Sequence, residues 1–279
     1  MSKVWLIGDA DSALGLLLTR SALAAEQAVI AITADAQQLR CTLGAQYGDA
    51  TDLYPLEIDW RDQWQIVGAV EKGIQRFGGI DVLINNIQAA CLGYFEALRA
   101  EDYQNAFSAH VLATIHLTQA ALPCMRAQRY GQVINFGASE TQTDMPGCTA
   151  VNATGFAVEG LSRSLAEEVR PFGVFVSCIK PQVSGINQPA LDGAEHWLTD
   201  YLDAPAYPDQ AVCNTDNEPI EPPLLGCAIK TLVAMAAPPS LFCVPPAHEI
   251  IEAPGEPDQD LTSSGRNPAC SFSNEYVYI

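Results

Sequence analysis

Short apolar runs alternate with segments of helical periodicity, and this alternation constrains the fold more than any other feature of the chain. The apolar runs have the length of buried strands and occupy residues 3–7, 29–33, 54–58, 80–85, 132–136 and 174–179. The helical segments between them occupy residues 12–25, 35–47, 64–77 and 101–126, and a further helix begins near Cys148. Strands that alternate with helices in this way predict an α/β fold, with a single doubly wound parallel sheet and helices on both faces.

The length of 279 residues suits one such domain with a short appendage. We assign residues 1–253 to the domain. Residues 182–223 are rich in Pro, Asp and Asn and have no long periodic run, after which a helix at 220–237 and a strand at 240–244 are expected. Residues 254–279 are expected to form a C-terminal tail that is poorly ordered or draped over the surface.

The charge and the cysteines limit the class of partner and the compartment. A net charge of -19 and a pI of about 4.3 argue against nucleic acid and against an anionic membrane surface. The nine cysteines include no CxxC pair, and no secretory signal opens the chain, so we expect reduced thiols and a cytoplasmic location. No segment is predicted to cross a membrane.

A buried strand, a polar loop and an amphipathic helix follow one another in residues 130–169. Within this segment, residues 133–135 (VIN) and 156–162 (FAVEGLS) resemble the catalytic segment of the short-chain dehydrogenase/reductase family, whose fold is Rossmann-like. The resemblance implies a general-acid Tyr, a Lys four residues later on the same helix face, and a Ser at the strand end. In register, this chain has Val151, Gly155 and Ala138 at those three positions.

Two interpretations of Val151 and Gly155 stay open. One is drift in a protein that no longer needs the two residues. The other is that small and apolar side chains at these positions clear a volume for a ligand. A glycine in a helix interior costs about 1 kcal/mol relative to Ala, so its presence calls for one of the two explanations.

The loop after the first strand differs from a phosphate-binding loop. The resemblance implies the pattern Thr-Gly-x-x-x-Gly-x-Gly, whereas residues 8–15 read GDADSALG, so only Gly15 is in register. Asp9 and Ala13 stand where glycines are implied, and Asp11 adds a second carboxylate. A carboxylate close to a pyrophosphate costs about 1 to 4 kcal/mol per charge pair. We therefore expect no bound cofactor, and weak or absent binding of NAD and NADP.

Vestiges of a dinucleotide site are nevertheless predicted at Gly15, Asp35, Asp59 and Asn85. Asp59 follows the third strand and Asn85 ends the fourth, at positions where the resemblance implies adenine and cofactor contacts. Asp35 follows the second strand without a basic residue to meet a 2′-phosphate, so NAD is expected rather than NADP if either binds. Asp59 and Asn85 would serve equally well as loop caps.

His110, Ser139 and Glu140 are the candidate catalytic residues. The resemblance implies an Asn at position 110 of the long helix, and His110 would supply a group that titrates near neutral pH. The alternative is a helix histidine satisfied by a backbone carbonyl. Ser139 and Glu140 lie on the loop after the fifth strand, where such sheets bind ligands. The candidate substrate pocket consists of Val151, Gly155, Ile87, Gln88, Asp144 and Gln182, and no metal site is predicted.

These substitutions favour an enzyme that no longer transfers hydride. The first hypothesis is a non-redox reaction on a small organic molecule, such as a cyclisation, isomerisation or elimination. The alternatives are a non-catalytic binding or scaffold protein and an atypical NAD-dependent oxidoreductase.

The resemblance also implies a mobile lid at residues 182–223. It further implies a homodimer or homotetramer through the helices at 101–126 and 149–170, with apolar contacts from Leu112, Leu117, Ala121, Phe156, Leu161 and Leu165.

Overall fold

Strands and helices alternate along the chain as the sequence predicts. The computed structural model describes residues 2–87, 91–138, 147–181, 222–244 and 277–278. The strands are β1 Val4–Ile7, β2 Ala28–Thr33, β3 Leu53–Glu57, β4 Val82–Asn85, β5 Gly131–Phe136, β6 Val174–Pro181, β7 Leu241–Val244 and β8 Val277–Tyr278. The helices are α1 Ala13–Ala24, α2 Ala36–Leu43, α3 Gln63–Phe77, α4 Ala100–Ala106, α5 Ala113–Gln128, α6 Thr149–Val169 and α7 Pro222–Ala234.

The strands form one parallel sheet in the order β3-β2-β1-β4-β5-β6-β7-β8. The chain builds outward from β1 to β3, returns to the other side of β1, and continues from β4. The predicted doubly wound sheet is therefore confirmed. Because the direction of winding reverses between β1 and β4, a crevice opens at their carboxyl ends, which is where sheets of this kind bind ligands.

Two apolar layers cover the two faces of the sheet. One combines the inward side chains of α1 and α7 with β-strand residues such as Phe136 and Ile179. The other packs α3, α5 and α6 against the opposite side chains of the same strands, including Leu6 and Val133. The interior strands are buried along their whole length, which explains their continuous apolar runs.

Local signals define the helix ends. The side chain of Asp35 accepts hydrogen bonds from the backbone N–H groups of Gln37 and Gln38, and so caps the start of α2. Gly44 ends α2 with a φ of 76°, a conformation that favours glycine. The helix predicted at 35–47 is consequently four residues too long at its C-terminal end.

The helix predicted at 101–126 is continuous but not uniform. A π-helical segment, Phe107–Leu112, lies between α4 and α5. Such a segment inserts an extra residue into the turn, and short π segments occur frequently at functional sites. His110 lies within it.

The predicted lid and tail lie almost wholly outside the described residues and stay predictions. Of the lid at 182–223, the last two residues begin α7. Of the tail, Val277 and Tyr278 pair with Phe242 and Cys243 of β7. In the described ranges, no helix combines the length and the apolar character that a membrane span requires.

Candidate functional site

The loop between β1 and α1 lies at the crevice between β1 and β4. Asp9 has a φ of 51°, in the left-handed region that favours glycine, and its carbonyl accepts hydrogen bonds from the backbone N (3.2 Å) and the Oγ (2.8 Å) of Ser12. Ser12 Oγ accepts in turn from the backbone N of Gly15 (3.1 Å) and caps α1. A Cβ at Gly15 would lie 2.3 Å from the carbonyl oxygen of Asp9, so close packing explains this glycine.

Two carboxylates give the loop its electrostatic character. Burial, and secondarily the charge of Asp11, raise the pKa of Asp9 to about 6. Asp11 accepts a hydrogen bond from the backbone N of Ala34 (3.2 Å), which ties the loop to the turn after β2. At neutral pH most Asp9 side chains are ionised, and this charge opposes a phosphate at the start of α1.

Asp35 and Asp59 have structural partners of their own. Asp35 caps α2, as described above, and Asp59 Oδ1 accepts from the backbone N of Arg61 (2.9 Å). Asp59 therefore makes the loop-capping contact that the sequence left open. Roles for either residue in dinucleotide binding stay predictions.

A chain of buried side-chain hydrogen bonds joins β4, β5, α5 and α6. Asn85 Nδ2 donates to Asn135 Oδ1 (2.7 Å) and to Thr118 Oγ1 (2.9 Å). Asn135 Nδ2 donates to Ser162 Oγ (2.8 Å), and Ser162 Oγ donates to the carbonyl of Val158 (2.6 Å). Asn85 is thus fixed inside the protein beneath the carboxyl edge of the sheet, and it holds β4 and β5 in register there.

His110 is buried, with 7% of its surface exposed. Its imidazole hydrogen bonds to the backbone carbonyl of Phe136, which is the alternative that the sequence left open for this histidine. Burial outweighs this bond and lowers the pKa of His110 to about 4. The imidazole is therefore neutral at pH 7 and does not titrate near neutrality, contrary to our expectation. Its catalytic role stays a prediction.

The volume expected at Gly155 does not exist. A Cβ at this position would lie 2.6 Å from the Cα and 2.7 Å from the backbone N of Ala138. The glycine lets α6 approach the end of β5, so the expectation that it clears space for a ligand was wrong. Val151, one turn earlier on α6, is partly buried. Whether Val151 contacts a substrate stays a prediction.

Ile87 also belongs to the core rather than to an open pocket. It is buried in the layer that contains α3 and α5, and its Cγ1 would lie 3.2 Å from a Cβ at Gly8. Its side chain fills the space beside Gly8, at the end of the first strand. Whether Ile87 also contacts a substrate stays a prediction.

Sequence reasoning missed a buried ion pair between β6 and α6. Lys180 Nζ lies 3.4 Å from Glu159 Oε2, and both side chains are nearly inaccessible to solvent. The Lys180 ammonium also lies 5.9 Å from the ring centre of Phe156. The available signal was a lysine inside an otherwise apolar strand, because a buried charge requires a partner.

Five candidate site residues lie outside the described residues: Gln88, Ser139, Glu140, Asp144 and Gln182. Their roles stay predictions. Across the described ranges, no group of three or more His, Cys, Asp and Glu side chains could hold a metal ion.

A doubly wound parallel sheet with a crevice at the β1–β4 switch point defines a Rossmann-type α/β protein. The family model described as short chain dehydrogenase matches residues 3–188. The chain belongs to this family, as the resemblance implied. A short-chain dehydrogenase structure from Streptomyces avermitilis superposes with a TM-score of 0.75 at 28% identity, covering 87% of this chain and 88% of that one.

Among curated relatives, "Oxidoreductase BOA17" of Botryotinia fuckeliana is 30% identical over 65% of this chain and 65% of its own length. "Uncharacterized oxidoreductase YusZ" of Bacillus subtilis is 30% identical over 64% of each chain. Both matches thus span slightly less than two thirds of the relative. A "3-ketodihydrosphingosine reductase" of Bacteroides thetaiotaomicron is 29% identical over 71% of this chain and 75% of its own length.

These relatives correct the functional hypothesis. A non-redox cyclisation, isomerisation or elimination was expected from the residues at positions 110, 138, 151 and 155 and from the carboxylates of the first loop. The named relatives are oxidoreductases and a ketone reductase, and they point to an enzyme with redox chemistry. The expectation erred because it treated substitutions at these positions as decisive, although the chain belongs to the short chain dehydrogenase family.

Proposed function

We propose that this chain is an NAD-linked oxidoreductase that interconverts a carbonyl compound and the corresponding alcohol. The observation that carries the proposal is the match of the short chain dehydrogenase model to residues 3–188, which include the whole β1–β4 crevice. The reductase name of one relative supports a carbonyl substrate. NAD is favoured over NADP because Asp35, an anion, follows β2 where a 2′-phosphate would require a cation.

The described residues fit a dinucleotide in part. The start of α1 lies at the carboxyl edge of the sheet, where a helix N-terminus suits a phosphate, and Asp35 and Asp59 lie after the neighbouring strands β2 and β3. Asp9 does not fit while it is ionised, because its charge would face the pyrophosphate. A bound nicotinamide would supply or accept the hydride.

The protein's own residues would fix the geometry and move the proton. The Asn85–Asn135 hydrogen bond holds the carboxyl ends of β4 and β5 together. The neutral His110 donates a hydrogen bond to the carbonyl of Phe136, and this bond connects the π-helical segment to the end of β5. We assign the proton transfer to Ser139 and Glu140, which follow β5 in the sequence. His110, on the π-helical segment, is the third candidate acid/base group.

An activity screen tests this function. The purified protein would be incubated with NADH or NADPH and a panel of ketones and aldehydes that includes long-chain 3-keto compounds. We expect oxidation of NADH that depends on the carbonyl compound, and a lower rate with NADPH. Glu140→Gln and Ser139→Ala should each lower the turnover number by at least tenfold if they move the proton. No carbonyl-dependent oxidation of either nucleotide would contradict the proposal.

A further inference from the structure

Asp9 occupies the point in the crevice that a dinucleotide must approach. It directly follows Gly8, at the end of β1, and precedes the capped start of α1. The backbone around it is tied to both neighbouring strands, since Gly8 N donates to the carbonyl of Ile84 (2.8 Å) and Ala10 N to that of Ile32 (2.9 Å). These bonds hold the backbone on both sides of Asp9 at the carboxyl ends of β2 and β4.

The surroundings of Asp9 disfavour its charge. Its side chain is partly buried, and across the described residues Asp11 is the charged group that acts on it. The groups that contact the loop from the neighbouring strands are the backbone carbonyls of Ile32 and Ile84. At the start of α1 the contact is the uncharged hydroxyl of Ser12. From the turn after β2 comes Asp35, whose carboxylate is engaged with the start of α2. No described neighbour offers a compensating cation.

We propose that an anionic dinucleotide enters this crevice together with one proton, which the Asp9 carboxyl takes up from solvent. The inference rests on the proposed function, and it adds that Asp9 determines how dinucleotide binding depends on pH. A neutral carboxyl removes the repulsion and offers an O–H donor to a phosphate oxygen. The partial burial of Asp9 and the absence of a cation among its described neighbours agree with the pKa of this carboxyl, which burial raises to about 6. At pH 7 the protein is then mostly in its non-binding, ionised form.

Calorimetric titration of the full chain with NAD tests this coupling. The heat is measured at about pH 7 in two buffers with different ionisation enthalpies, because their difference gives the number of protons taken up. We expect close to one proton per NAD, and an affinity that falls about tenfold per pH unit above pH 6. NAD is the suitable probe because it lacks the 2′-phosphate of NADP, which titrates in this range.

The Asp9→Asn variant is neutral, equal in size, and tolerates a left-handed backbone. It should bind NAD about tenfold more tightly than the wild type at pH 7 and take up no proton. Asp11→Asn is the matched control and should retain the proton uptake. If Asp9→Asn does not fold, Asp9→Gly serves instead, since the positive φ suits glycine.

Two outcomes would overturn the inference, and they are distinguishable. Binding of NAD to the wild type without proton uptake, and with equal affinity in Asp9→Asn, would reject the role of Asp9 and leave the proposed function standing. Absence of NAD binding in the wild type and in Asp9→Asn at pH 6 would reject the coupling and the proposed cofactor together.

Discussion

At the scale of single residues, burial decides which side chains can titrate. His110 was selected from the sequence because histidine ionises near neutral pH, but 7% exposure and a pKa of about 4 keep it neutral there. The sequence identified Asp9 correctly as an unusual residue at the start of the crevice. It did not reveal the burial that raises its pKa, because burial depends on β2 and β4, which pack beside the loop.

The depressed pKa of His110 predicts an acid-sensitive fold. A histidine whose pKa is lower in the folded state contributes stability above about pH 6.5, and this stability is lost as the pH falls towards 4. The loss is on the order of 3 kcal/mol if the unfolded chain has an ordinary histidine. Asp9 acts in the opposite direction, because its raised pKa stabilises the protonated fold as the pH falls below 6.

Urea denaturation of the wild type and of His110→Gln at about pH 7 and pH 4.5 separates the two effects. We expect the variant to be the less stable protein at pH 7, by about 1 kcal/mol for the lost hydrogen bond, and to lose less stability on acidification. His116→Gln removes a partly exposed histidine of the same long helix and is the control. Equal acid sensitivity in wild type and His110→Gln would show that His110 is not the cause.

At the scale of elements, the sequence predicted seven strands and their helices because the spacing of apolar residues that distinguishes a strand from a helix is a local property of the sequence. It missed features that arise from contact between elements. The close approach of α6 to β5 at Gly155, and the ion pair of Lys180 with Glu159, join residues that are far apart in sequence. The π-helical segment was missed for a related reason, since its residues have ordinary helical propensity.

The contact between α6 and β5 predicts opposite effects for two glycines of one helix. Gly155→Ala should lower the free energy of unfolding by about 1 to 3 kcal/mol, because the added methyl group meets the backbone of Ala138. Gly160→Ala is the control, since a Cβ at Gly160 has no heavy atom within 4 Å. It should raise stability by up to about 1 kcal/mol through helix propensity. Chemical denaturation checks both, and a stable Gly155→Ala variant would contradict the packing described.

At the scale of the whole molecule, the sequence predicted the fold class, a doubly wound parallel sheet, whereas periodicity alone could not tell which apolar side chains lie in the interior and which on the surface. Leu117 and Ala121 were expected to form an interface between subunits, but both are fully buried against the sheet. Leu112 and Phe156, by contrast, are 43% and 45% exposed. Apolar side chains that remain accessible on adjacent helices favour association of copies.

We therefore propose a homodimer or homotetramer through the face that carries Leu112 and Phe156. Light scattering at micromolar concentration should give at least twice the mass of 29.9 kDa. Leu112→Glu with Phe156→Glu should shift the protein to the monomer by burying charges at the contact. Trp64→Glu, on helix α3 outside the proposed face, is the control for an exposed apolar residue and should leave the mass unchanged. A monomeric wild type would contradict this assembly.

Transfer of label from the cofactor tests the central claim, that this chain is a redox enzyme, most directly. NADH with deuterium at both hydrogen positions of nicotinamide C4 would be incubated at about pH 6, where Asp9 is half neutral, with each carbonyl compound that the activity screen identifies. The account predicts an alcohol that is heavier by one deuterium, detected by mass spectrometry, together with NAD that retains the second deuterium. An alcohol without deuterium, or no alcohol at all, would contradict the assignment.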